Sequence, residues 1–360
     1  MPERVFNFFA GPATLPFDVV KKAAKGVVNF ENMGMSVMEI SHRSKQFDRM
    51  FCETQKNMLE IMGLSDEEYA VLFLGGGAST QFCALPFNFL KDSMTADYIV
   101  TGGWSKKAVK EAKYFGDVNI AASSEDSNFS FIPKEFTLTK GAAYVHTTSN
   151  NTLVGTQIKD FPETGDVPLV SDMSSDFLSR ELDYSKFSLI YAGAQKNIGP
   201  SGVAAVVVRR SWVEQARSDI PTMLSYQTHM SKNSLFNTPP SFPVYVVGLV
   251  MKWILEQGGI KAVEAANEKK AGLLYSYMDD SSGFYSGTAE KDSRSLMNVT
   301  FRLPSEELEK KFIAEGVQND LFGLKGHRSV GGCRASIYNA MPYEGVEALV
   351  EFMKRFKAAN

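Results

Sequence analysis

Residues 70–74, 98–101, 142–147, 168–172, 188–192 and 202–208 form six short apolar runs, separated by stretches with helical patterning. Unbroken apolar character over so few residues fits a strand covered on both faces, as in a parallel sheet. Several runs end in Gly, Ser or Asn, and a helix-like segment follows. Strand and helix in alternation specify a doubly wound α/β fold with a mainly parallel sheet. After about residue 255 the pattern changes. A long amphipathic helix at 261–279, a strand at 297–302, a helix at 305–315 capped by Ser305, a strand at 333–337 and a helix at 343–357 predict a smaller α+β unit. The expected division is a large domain over residues 16–255 and a small domain built from 1–15 and 256–360.

A length of 360 residues suits two such domains. With 38 Lys+Arg against 41 Asp+Glu the net charge is −3, which argues against a broad nucleic-acid surface but leaves room for a small cationic pocket. The apolar runs are far too short to span a bilayer. Three cysteines without a C-x-x-C pair support neither a disulfide framework nor a thiolate zinc site, and four histidines without H-E-x-x-H give no metal site. The first residues hold no apolar secretory core. A reducing, cytoplasmic setting is the expectation.

Chemistry concentrates where the predicted strands end. Lys196 lies in Ala192-Gly193-Ala194-Gln195-Lys196-Asn197-Ile198-Gly199-Pro200, a small-residue turn after a strand. A loop lysine is ordinarily a solvated charge, but this position is where α/β folds bind ligands, and it suits a Schiff-base nucleophile. Asp172 ends another strand; it serves either as a cap or as the carboxylate that keeps a pyridinium nitrogen protonated. The loop Gly75-Gly76-Gly77-Ala78-Ser79 runs into a helix start, where backbone N–H groups bind phosphate; the other reading is a plain tight turn. Trp104 follows a strand and a Gly pair, and is either core or a stacking partner. His42-Arg43 and His327-Arg328, with Arg334, read as anion recognition rather than scattered surface charge.

Together these residues resemble the phosphoserine aminotransferase family, fold-type I, class V enzymes dependent on pyridoxal 5′-phosphate (PLP). The resemblance covers nearly the whole chain. Its most specific blocks are Phe6-Asn7-Phe8-Phe9-Ala10-Gly11-Pro12-Ala13, Ser36-Val37-Met38-Glu39-Ile40-Ser41-His42-Arg43, the Lys196 turn, Phe236-Asn237-Thr238-Pro239-Pro240, Lys325-Gly326-His327-Arg328 and Gly331-Gly332-Cys333-Arg334. It implies that Lys196 attaches the cofactor and then carries the substrate Cα proton. Asp172 is implied to pair the ring nitrogen, Trp104 to stack on the ring and Thr152 to meet the phenolic oxygen. Gly77, Ala78, Ser79 and Gln195 are implied to hold the phosphate, with Asn237 and Thr238 supplied across a homodimer interface. Arg334 is implied to take the α-carboxylate, and His42, Arg43, His327 and Arg328 the distal anion.

The implied reaction converts L-glutamate and 3-phosphohydroxypyruvate, a phosphorylated 2-oxoacid, to 2-oxoglutarate and O-phospho-L-serine in serine biosynthesis. Many family members also aminate 3-hydroxy-2-oxo-4-phosphobutanoate for pyridoxine synthesis. Other members carry an Arg in the Gly loop that is absent here. Three other readings compete: an aminotransferase for another small oxoacid, which leaves the distal His-Arg pairs unused; a cysteine desulfurase, which needs Cys333 mobile; and a non-catalytic phosphate-binding regulatory module, which leaves Lys196 and Asp172 unexplained.

Overall fold

The computed structural model describes residues 4–360. Its largest sheet has seven strands: β1 (Tyr69–Gly75), β2 (Thr95–Val100), β3 (Asp117–Ser123), β4 (Val145–Thr148), β5 (Leu169–Asp172), β6 (Phe187–Gly193) and β7 (Val203–Arg209). Their order across the sheet is β1-β7-β6-β5-β4-β2-β3. β7 runs antiparallel to β1 and β6, and the other neighbours pair in parallel. The antiparallel strand follows from chain length: only residues 194–202 separate β6 from β7, too few for a crossover.

All six expected strands are present, and β3 is a seventh that the apolar runs did not announce. It lies at the sheet edge and reads Asp-Val-Asn-Ile-Ala-Ala-Ser, largely solvent-accessible. An edge strand needs no unbroken apolar run, because fewer of its side chains are covered.

Side chains alternate between the two faces of each strand. Val71, Phe73, Ala205 and Val207 join one core with Val19 of α1 (Phe17–Val28), with Phe47, Phe51 and Met58 of α2 (Lys45–Met62) and with Val244, Val247 and Met251 of a helix over Ser241–Glu256. Leu72, Val206 and Val208 face the other way, onto Phe82 and Leu85 of α3 (Ala78–Phe89) and Ala108 of α4 (Gly103–Ala112). Both faces are covered, which is why these strands read as continuous apolar sequence.

A second, three-stranded antiparallel sheet joins Ser286–Gly287, Asn298–Arg302 and Cys333–Ser336. Helices over Ile260–Asp279, Glu306–Gln318 and Tyr343–Ala359 accompany it. Ser305 caps the middle helix by accepting the Leu308 N–H at 3.3 Å. Phe6–Asn7 pairs in parallel with Leu321–Phe322, and Phe8 is buried with Phe301, Phe312, Ile337 and Phe352. The turn after the Arg334 strand is tied to the large sheet. Asn197, next to Lys196, accepts the Asn339 N–H at 3.0 Å and donates to the Phe177 carbonyl at 2.7 Å. Asn339 in turn donates to the Leu178 carbonyl at 2.8 Å. Among the described residues, no helix is long and apolar enough to cross a membrane.

Candidate active site

The sheet presents its chemistry at one edge, beyond the carboxyl ends of β1, β2, β4, β5 and β6. Asp172 closes β5 and is 5% exposed. Its Oδ1 accepts the Ser174 N–H at 2.9 Å and the Ser174 hydroxyl at 2.6 Å, an Asx-type turn that fixes the carboxylate. Burial pushes this carboxyl above the ordinary aspartate range, against the downward pull of Lys196 and of the Ser174 bonds. Lys196 lies in the turn after β6, and its Nζ donates to Thr152 Oγ1 at 2.8 Å. Burial lowers its amine to about 8; Asp172 opposes that shift and Arg334 adds to it. Arg334, on the second sheet, donates through Nη1 to the Thr152 carbonyl at 3.2 Å. Its Nε is buried without a partner among the described residues. Thr152 therefore holds the amine through its side chain and the guanidinium through its backbone.

Trp104 opens α4, with the Lys196 Nζ 5.4 Å from its ring centroid and its own Nε1 buried without a partner among the described residues. Ser105 fixes this helix start, accepting the Thr101 and Gly102 N–H groups at 3.1 Å and donating to the Gly102 carbonyl at 2.8 Å. α3 begins at Ala78 behind Gly77, which offers no capping side chain, so N–H groups of its first turn are open to a ligand. A Cβ on Gly193 would stand 2.7 Å from Gln195 Oε1 and 3.3 Å from the Ala78 nitrogen. The bare glycine lets Gln195 and the helix start approach each other beside Lys196.

The imidazole of His327 is held below its usual range by burial, then by the charges of Arg334, Arg328 and Lys107, so these cations share one region. The structure does not bring every expected residue into it. His42 and Arg43 precede α2 and no hydrogen bond among the described residues joins them to the cluster. Asn237 and Thr238 line a cavity of about 320 Å³ with Leu74 and Gly75 at the end of β1. Ser79 is exposed. The sequence reading missed Ser174, whose spacing two residues after a strand-end Asp was its signal, and Asn197 and Asn339, which carried none. Cys333 is 1% exposed and burial pushes its thiol up, so it is neither mobile nor nucleophilic.

The class-V aminotransferase family profile matches residues 5–349. A phosphoserine aminotransferase of Desulfatibacillum aliphaticivorans is 58% identical over the full length of both chains. The chain belongs to the phosphoserine aminotransferase family. The solved phosphoserine aminotransferase from Bacillus circulans subsp. alkalophilus superposes with a TM-score of 0.97 at 54% identity, covering 99% of each chain. The PLP-bound phosphoserine aminotransferase of Trichomonas vaginalis superposes with a TM-score of 0.92 at 37% identity, covering 98% of this chain and all of the other. The donor set here fits the cofactor of a phosphoserine aminotransferase. An amine shifted toward neutrality, a buried carboxylate, a half-buried indole and an uncapped helix start are what a phosphorylated pyridine aldehyde needs.

Proposed function

We propose that this enzyme transfers the amino group of L-glutamate to 3-phosphohydroxypyruvate, yielding 2-oxoglutarate and O-phospho-L-serine, as a cytoplasmic homodimer in serine biosynthesis. The observation that carries this reading is the pair of Thr152 contacts, which places the Lys196 amine at 2.8 Å from its hydroxyl and Arg334 at 3.2 Å from its carbonyl. An α-amino acid carries its amino and carboxylate groups on one carbon, and needs an amine and an arginine fork this close together.

Pyridoxal phosphate is the cofactor; when bound it supplies a carbonyl that takes the amino group and a ring that draws electrons from Cα. Lys196 would hold the cofactor through its neutral amine, and its freed Nζ would carry the proton taken from the substrate Cα to the cofactor's C4′. Asp172 would pair with the ring nitrogen and keep a proton there. Trp104 would stack on the cofactor ring, and Thr152 Oγ1 would hydrogen-bond its phenolic oxygen. Gly77, Ala78, Ser79 and Gln195 cradle the phosphate, and Asn237 and Thr238 complete it in the partner subunit's site. Arg334 takes the α-carboxylate. His327 and Arg328, with His42 and Arg43 brought across the interface, take the distal γ-carboxylate or phosphate. The division into a domain of residues 16–255 and one of 1–15 and 256–360 belongs to the same reading. It is supported by the pairing of Phe6–Asn7 with Leu321–Phe322.

Adding O-phospho-L-serine to the holoenzyme should collapse the visible band of the lysine-bound cofactor, and L-alanine should do so far less. A band indifferent to phosphoserine would sink the substrate assignment while leaving the fold intact. His327→Ala should lower kcat/KM for phosphoserine about ten-fold, and for glutamate about two-fold, since the neutral ring accepts the Ser329 N–H at Nδ1 and keeps an Nε2–H donor, whose bond is stronger to the more highly charged group. Steady-state kinetics with both amino donors decides this, and equal losses would count against a phosphate-directed histidine.

A further inference from the structure

Lys107 has no task in the reaction described so far. It lies on α4, one turn beyond Trp104, with its Nζ 4.0 Å from that ring's centroid. Its neighbour Lys106 is ion-paired with Glu125, whereas Lys107 has no carboxylate at ion-pair distance among the described residues. Lys107 faces a cavity of about 850 Å³, together with Gly103, Lys110, Leu153, Ser329 and Val330. That cavity adjoins the site on two sides: Leu153 follows Thr152, and the Ser329 hydroxyl lies 2.7 Å from His327 Nδ1. The charge of Lys107 also reaches His327, alongside those of Arg334 and Arg328.

The distal pocket has two different anions to accept. A γ-carboxylate carries one negative charge, while a phosphoryl group carries nearly two at neutral pH. A point charge gains in proportion to the charge it faces, and a lysine on a flexible stem adjusts its reach to either head group. Resting on the indole face, Lys107 is exposed and uncompensated at the edge of this pocket.

We propose that Lys107 is a specificity-determining residue, whose ammonium engages the phosphoryl group of the substrate and favours it over the γ-carboxylate of glutamate. This rests on the phosphoserine reaction proposed above. The test uses holoenzyme of the wild type, Lys107→Gln and Lys107→Arg, with dissociation constants for O-phospho-L-serine and L-glutamate read from the visible band at low and moderate salt. Lys107→Gln should weaken phosphoserine about five-fold and glutamate less than two-fold. The contrast should shrink as salt screens an exposed charge. Lys107→Arg should restore most of the loss. Equal losses for the two ligands, or none, would overturn the role of Lys107. A wild type that does not distinguish phosphoserine from L-serine would overturn the reaction itself, and this proposal with it.

Discussion

Lys196→Ala lowers turnover by about four orders of magnitude or more, because one side chain serves as both attachment point and proton carrier. Its surroundings support both tasks. Burial brings the amine to about 8, with Asp172 opposing the shift and Arg334 adding to it. At pH 7 about one amine in ten is then neutral, against about one in three thousand for a lysine at its usual value. Capture of cofactor by the apoenzyme should therefore quicken as pH rises toward 8 and level off above it. The sign follows from the lowered pKa, since the neutral, nucleophilic form gains population through that window. Lys196→Arg keeps a positive charge but offers no such nucleophile, so it should be as inactive as the alanine variant. Single-turnover kinetics with phosphoserine, beside a spectrum of each variant, checks both expectations. Activity within ten-fold of the wild type in Lys196→Ala would remove the lysine from the chemistry.

The parts of this molecule that were legible in sequence share a physical cause. Val71, Phe73, Ala205 and Val207 serve one core while Leu72, Val206 and Val208 serve the other, so their strands appear as unbroken apolar runs. The edge strand over Asp117–Ser123 has no such requirement and left no such trace. Asp172, Trp104 and Lys196 were legible because each lies at or just beyond a strand's carboxyl end, where a parallel sheet gathers ligand groups. Long-range contacts were not legible from pattern. Nothing in the spacing of Thr152 and Arg334 says that they meet at 3.2 Å, and the family resemblance assigned Thr152 only to the cofactor's phenolic oxygen. No feature of the sequence singles out Lys107, and only its distance from the Trp104 ring sets it apart. His42 and Arg43 mark a different limit. No hydrogen bond among the described residues links them to the cluster, and the proposed dimer is what would bring them to it.

Arg334→Lys tests the other end of the substrate, and should reduce kcat/KM about a hundred-fold with glutamate and phosphoserine alike, close to 3 kcal/mol of transition-state binding. The guanidinium is already half committed, with Nη1 donating to the Thr152 carbonyl. Its Nε is buried and unpartnered among the described residues, which leaves the Nε–Nη2 edge for a carboxylate to take in two parallel bonds. A lysine ammonium is a single point. It cannot hold the Thr152 carbonyl and also present two coplanar donors, and whichever contact it keeps, the other is lost. The lost contact matters twice, because Thr152 also holds Lys196 at 2.8 Å and a shifted backbone there would move the amine. Both substrates carry the same α-carboxylate, so the two losses should match within about two-fold. That parity separates Arg334 from His327 and Lys107, whose replacement should fall mainly on the phosphorylated substrate. A near-wild-type rate, or a loss confined to phosphoserine, would move Arg334 out of the α-carboxylate site and into the distal cluster.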